Sequence, residues 1–134
     1  LSIPLHASTR RALYAALNAN NHGDPGQMRA IWSHEPGISD LGPLGSVLVG
    51  PDAVFGQFTT EDAMNLGGTV SPVDVHAVTA GNMGFTVCVE TVSDMSDDGA
   101  TITFRATNIF RLETGDWKMV HHHTGVLQVL QDEG

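Results

Sequence analysis

Apolar residues along this chain change their period once, near Gly67-Gly68. Before that point they recur at helical spacing; after it they alternate. Leu13, Ala16 and Leu17 form one stripe within the alanine-rich residues 10–18. Ser8 or Thr9 can cap this helix, and Asn20-Asn21-His22-Gly23 ends it. Asp24 caps a second, short helix with Pro25 in its first turn; Met28, Ile31 and Trp32 give it a buried face, and Pro36-Gly37 break it. Two short extended pieces, 38–41 and 46–49, flank a turn at Gly42-Pro43. Gly50-Pro51-Asp52 opens a third helix, on which Val54, Phe55, Phe58 and Met64 have helical spacing. Strands are then expected over 69–79, 83–92, 101–112 and 117–130, with an acidic, solvated loop over 93–99. No linker or repeat interrupts the chain. The pattern predicts one α+β domain over 1–134, with 1–7 an extended lead-in and three N-terminal helices on one face of a curved antiparallel sheet.

The last hairpin can be put in register. With residues 113–116 as its loop, Leu112 faces Trp117, Phe110 faces Met119, Asn108 faces His121 and Ala106 faces His123. One face then carries Phe104, Ala106, Asn108, Phe110, Leu112, Trp117, Met119, His121 and His123, and the other carries Arg105, Thr107, Ile109, Arg111, Lys118, Val120, His122 and Thr124. The first face is the more apolar and is expected to meet the helices. Its polar members, Asn108, His121 and His123, either satisfy one another or line a pocket, because an unpaired buried polar group costs a few kcal/mol. A slip of one residue would exchange the two faces.

Composition narrows the partners. The chain has 134 residues, 41% hydrophobic and 16% charged, which suits one globular core. Six Lys and Arg against fifteen Asp and Glu give a net charge of −9, which disfavours nucleic acid and anionic membrane surfaces. Cys88 is the sole cysteine, so no internal disulfide forms, and its apolar neighbours Val87 and Val89 mark it as a buried small residue. No stretch reaches the ~20 apolar residues a membrane span needs. The first eleven residues lack the basic-then-apolar order of a signal peptide, and the expected location is cytoplasmic. His121 and His123 could share a metal, but no third ligand or second His-rich motif accompanies them, so no metal or other cofactor is expected.

Several segments carry a family resemblance: Ala15-Ala16-Leu17-Asn18, Ile31-Trp32-Ser33-His34-Glu35-Pro36, Gly50-Pro51-Asp52-Ala53-Val54, residues 105–111, and Trp117-Lys118-Met119-Val120-His121-His122-His123. With the order of elements, they resemble the SnoaL-like, ketosteroid-isomerase-like branch of the nuclear-transport-factor-two-like superfamily. The resemblance implies a cone-shaped, cystatin-like fold, with a curved antiparallel or mixed sheet wrapped on three helices. It also implies a pocket suited to cofactor-free acid–base work, in a fold that hosts many unrelated functions. Ketosteroid isomerases pair a carboxylate base with two donors aimed at a developing enolate. By that likeness Asp40 falls at the base and Asn108 at one donor. The tyrosine donor falls on Leu13, with Tyr14 about 100° further round the helix, and His121 or His123 could replace it.

The expected site therefore has Asp40, Asn108 and His121 as catalytic residues, lined by Tyr14, Trp32, His34, Phe55, Phe58, Phe104, Phe110, Met119 and His123. Its ligand is a small apolar molecule, such as a carbonyl or polyketide-like compound. Asp40 could equally be a solvated loop carboxylate. Glu90 could face the pocket or pair on the outer face with Arg105 or Arg111. The rival function is a non-enzymatic homodimer or assembly module built on the outer face, with Arg105, Thr107, Ile109, Arg111, Val120 and His122.

Overall fold

A computed structural model describes Leu5 and residues 7–43, 45–64, 67–93 and 101–127. Helix α1 spans Ala7–Asn21, starting earlier and ending later than its sequence signals suggest, so Ala7 belongs to the helix rather than to an extended lead-in. Helix α2 (Gly26–Ile31) stops at Trp32, whose extended backbone turns the chain toward β1. Short strands β1 (Ser39–Leu41) and β2 (Val47–Val49) precede helix α3 (Pro51–Met64). Long strands β3 (Thr69–Ala80), β4 (Met83–Ser93), β5 (Ile102–Glu113) and β6 (Asp116–Val126) follow. The solvated loop expected over 93–99 lies outside the described residues except for Ser93, which closes β4; the end of the strand expected to run to 130 and the side chain of Met64 lie outside them too.

The six strands form one sheet in the order β2-β1-β6-β5-β4-β3. All neighbours are antiparallel except β1 and β6, which run parallel. The sheet is thus mixed, and the helices cover one face of it. Leu13, Ala16, Met28, Trp32, Val54 and Phe58 from the helical half pack with Ile38, Phe110 and Met119 as the buried core. Apart from Ala16, each such side chain stabilises the fold by about 1.5–3 kcal/mol on leaving water. Asn18 fastens α1 to the start of β3 like a short strand, accepting from Val70 N at 2.7 Å and donating to Val70 O at 3.1 Å.

The β5–β6 turn is tighter than a four-residue loop. Glu113 pairs with Asp116, and Thr114 and Gly115 both take positive φ (49° and 87°), as a two-residue hairpin turn requires. Arg111 and Ser33 both donate to Glu113 Oε2, at 2.6 and 2.8 Å, which ties the segment after α2 to the hairpin. Burial raises the Glu113 carboxyl, but these hydrogen bonds and the Arg111 charge outweigh it and hold the group below its ordinary value.

Further along, the register departs from plain alternation. Phe110 pairs with Met119 as expected, but Ile109 pairs with His121, so Val120 is an extra residue on β6. Asn108 therefore faces His122, not His121, and Thr107 faces His123. This corrects the expected faces: Val120 and His122 are buried inside, while His121 and His123 stand on the outer face. A β-bulge shifts the phase by one, and a run of three identical side chains gives no pattern from which to detect it.

Candidate functional site

Between the inner face of the sheet and the helices lies a half-open cavity of about 280 Å³. Its walls are mostly apolar, including Leu17, Met28, Phe58, Val92, Ile102 and Phe104. Polar groups enter at two places. Asp40 and His122 come from the parallel β1–β6 pair, where they sit opposite each other, and Glu90 comes from β4, two strands further along the same sheet. No lysine or arginine occurs among the described residues lining it.

Asp40 Oδ1 lies 3.3 Å from His122 Nδ1, with both side chains about nine-tenths buried. This is an ion-pair contact, and a carboxylate beside Nδ1 favours a proton on that nitrogen. Glu90 is 3% exposed. Tyr14 Oη donates to its Oε2 at 2.7 Å, and the same hydroxyl lies 3.1 Å from Cys88 Sγ. Burial first, and then the charge of Glu90, push the Tyr14 hydroxyl far above its ordinary range, so it stays a donor. Burial likewise raises the Cys88 thiol, in keeping with a buried small residue and not a nucleophile.

The remaining expected site residues divide by place. Phe58 and Phe104 line the cavity. Tyr14 reaches its wall through Glu90. Trp32, Phe110 and Met119 are fully buried core, with Trp32 packed on Phe58 at 5.7 Å between ring centroids. Asn108 is also fully buried; its Nδ2 donates to Thr86 Oγ1 at 3.1 Å, and its Oδ1 has no partner among the described residues. It pairs with His122 across the β5–β6 ladder and is not among the residues that line the cavity.

Four more, His34, Phe55, His121 and His123, are not among the residues that line the cavity either. His34 is exposed, with its ring against Phe55 on the surface and Nε2 2.7 Å from Arg29 O. His123 is exposed on the outer face. His121 contacts Ser39 Oγ at 2.7 Å through Nδ1 on that same outer face. Burial, followed by its neighbours His123 and His122, lowers the pKa of His121.

His122 is the site residue that alternation misplaced, and Glu90 is the one it left undecided. On β4 the phase Gly84, Thr86, Cys88, Glu90 faces in, while the more apolar phase Phe85, Val87, Val89 faces out. A hydrophobic outer face hides which side is the core. Among the described residues no three His, Cys, Asp or Glu side chains converge to hold a metal ion, and no helix is long and apolar enough to cross a membrane.

Comparison with known proteins agrees with this architecture. Residues 10–127 match the model of the SnoaL-like domain. A proposed calcium/calmodulin-dependent protein kinase type II association domain from Thiobacillus denitrificans superposes with a TM-score of 0.80 at 25% identity, covering 96% of this chain and 99% of that one. A proposed dehydratase of the NTF2-like family from Streptomyces avermitilis gives 0.79 at 21% identity, over 91% and 93% of the two chains. An uncharacterised protein with a cystatin-like fold from Caulobacter vibrioides gives 0.71 at 19% identity, over 90% and 86%. No curated protein matches the sequence.

Proposed function

The chain belongs to the SnoaL-like domain family, and from that premise we propose that it binds a small, largely apolar molecule in the inner cavity and moves protons on it without a cofactor. The observation that carries this reading is the Asp40–His122 pair on the wall of an otherwise apolar cavity. The Asp40–His122 pair is the group that exchanges a proton with the ligand. Asn108 pairs with His122 across the β5–β6 ladder, and Tyr14 holds the Glu90 carboxylate in place on β4. Such a pair suits isomerisation, cyclisation or elimination next to a carbonyl. The description of the Streptomyces avermitilis relative as a proposed dehydratase is compatible with that class.

The test is a thermal-shift screen of small carbonyl compounds and aromatic polyketide fragments, followed by turnover assays on the hits. A stabilising ligand that is converted by the wild type, and bound but not converted by His122→Asn, supports the reading. Conversion that survives His122→Asn overturns the role of the dyad.

A second reading, compatible with the first, concerns the outer face. Val73, Val78, Met83 and Phe85 are each 36–46% exposed there, and Val47 and Val49 on β2 reach 70% and 71%. An apolar face of this kind fits a second copy of the chain, consistent with the association-domain description of the Thiobacillus denitrificans relative. Arg105, Thr107, Ile109 and Arg111 belong to this surface, whereas Val120 and His122 lie inside.

A further inference from the structure

We infer that the inner cavity selects a hydrophobic cation: a body of one or two rings carrying a protonated amine, with Glu90 as the group that receives it. The inference rests on the ligand-binding reading above and names the chemistry of its ligand.

The case begins with Glu90. Its side chain is 3% exposed, and it opens onto the cavity. A carboxylate offers about four acceptor positions. Among the described residues a single hydrogen bond reaches this one, from Tyr14 to Oε2. Glu90 lies opposite Phe104 on β5 and Pro72 on β3, neither of which brings a donor side chain. A buried carboxylate in such surroundings lacks the cation or extra donors that ordinarily accompany it. A ligand in the cavity can supply them.

The rest of the lining sets the sign of that ligand. Asp40, paired with His122, is a second carboxylate of the lining, and no lysine or arginine among the described lining residues offsets Glu90. A carboxylate or phosphate ligand would meet like charge in a site of low dielectric. A neutral alcohol can donate one hydrogen bond to Glu90 but brings no charge. An alkylammonium brings both, and charge-assisted hydrogen bonds are about twice as strong as neutral ones. The net charge of −9 also favours the approach of cations over anions.

Size follows from the volume. An apolar cavity of about 150 Å³ accepts benzene; one of about 280 Å³ takes one or two rings with a short polar arm. Leu17, Met28, Phe58, Val92, Ile102 and Phe104 would cover the rings.

The test uses the whole chain and three matched probes: naphthylethylamine, naphthylethanol and naphthylacetate. Affinities are measured by calorimetry near neutral pH, where the amine is charged. The amine is expected to bind about ten- to a hundredfold tighter than the alcohol, the range a charge-assisted hydrogen bond supplies, and the carboxylate weakest of all. Glu90→Gln, close in shape, should bring the amine down to the affinity of the alcohol and leave the alcohol nearly unchanged. Equal binding of amine and alcohol by the wild type, tightest binding of the carboxylate, or an amine preference that survives Glu90→Gln would each overturn the selectivity while leaving the small-molecule reading intact. Failure of all three probes to bind, with the protein folded, would overturn both. The wild-type comparison decides the matter even where the variant does not fold.

Discussion

Tyr14 donates a 2.7 Å hydrogen bond to Glu90, joining the first helix to the fourth strand inside the molecule. The bond sets the Glu90 side chain against the cavity wall and explains why the only tyrosine of the chain lies on the buried side of α1. Replacing Tyr14 by Phe removes the donor and leaves a buried carboxylate. The expected loss of stability is about 1–3 kcal/mol. Urea unfolding measures it, and a change below about 0.5 kcal/mol would mean that water replaces the hydroxyl.

The same hydroxyl predicts a response to alkali. Its folded pKa is raised above the unfolded value of about 10. Between those two values the unfolded state releases the Tyr14 proton and the native state keeps it. This contribution to stability is therefore full below about pH 10 and is lost as pH rises beyond it. Tyr14→Phe should flatten the decline in the unfolding midpoint above that pH; parallel profiles for the two proteins would contradict it.

His121 predicts the opposite response, in mild acid. Burial and the neighbouring histidines lower its pKa, so below about pH 6.5 the unfolded state takes up the proton first. Its contribution is present above that pH and is lost as pH falls through the folded value. His121→Gln can keep a hydrogen bond to Ser39 and should make the protein less sensitive between about pH 7 and pH 5. Chemical unfolding at stepped pH tests this, and an unaltered acid limb would place the sensitivity elsewhere.

Much of the fold was legible in the sequence, because its elements announce themselves locally. The stripe of Leu13, Ala16 and Leu17, the Gly50-Pro51-Asp52 helix start and the alternation after Gly68 each reflect the period of a single element. Phe58 and Phe104, expected to line the pocket, do line the cavity, as does Asp40, which only the family likeness had pointed to. What stayed hidden depends on relations between strands. The partner of Asp40 is His122, and a one-residue bulge decides that. The orientation of Glu90 was obscured for a different reason: Phe85, Val87 and Val89 make the outer face of β4 as apolar as a core face. Alternation identifies two faces but does not say which one a second molecule covers.

That outer face gives a fourth prediction. Val78 and Phe85 lie opposite each other on β3 and β4 and are 45% and 39% exposed. If the face joins two copies, about 800 Å² of each is covered. Val78→Lys with Phe85→Lys should then yield a monomer by sedimentation, with near-native circular dichroism, because neither side chain is needed by the interior. A wild-type protein that is already monomeric at high concentration would refute the interface.

The bulge on β6 can itself be tested. Val120 is the unpaired residue between Met119, which faces Phe110, and His121, which faces Ile109. Deleting Val120 would join Met119 directly to His121 while keeping both pairings, so Met119 would still point inward, His121 outward and His122 inward. The buried valine side chain would be lost, at a cost of about 1.5–3 kcal/mol, together with the local bend that the extra residue imposes. The bend matters because Trp32 bridges to Met119, and Ser33 N donates to Met119 O at 2.9 Å, one residue before the bulge. The deletion variant should therefore fold less stably, keep the cross-strand proximity of Ile109 and His121 in its NMR spectra, and loosen the contact between Trp32 and Met119. Loss of the Ile109–His121 proximity would mean that Val120 sets the register of the histidine run as well as the bend, and that the inward position of His122 depends on it.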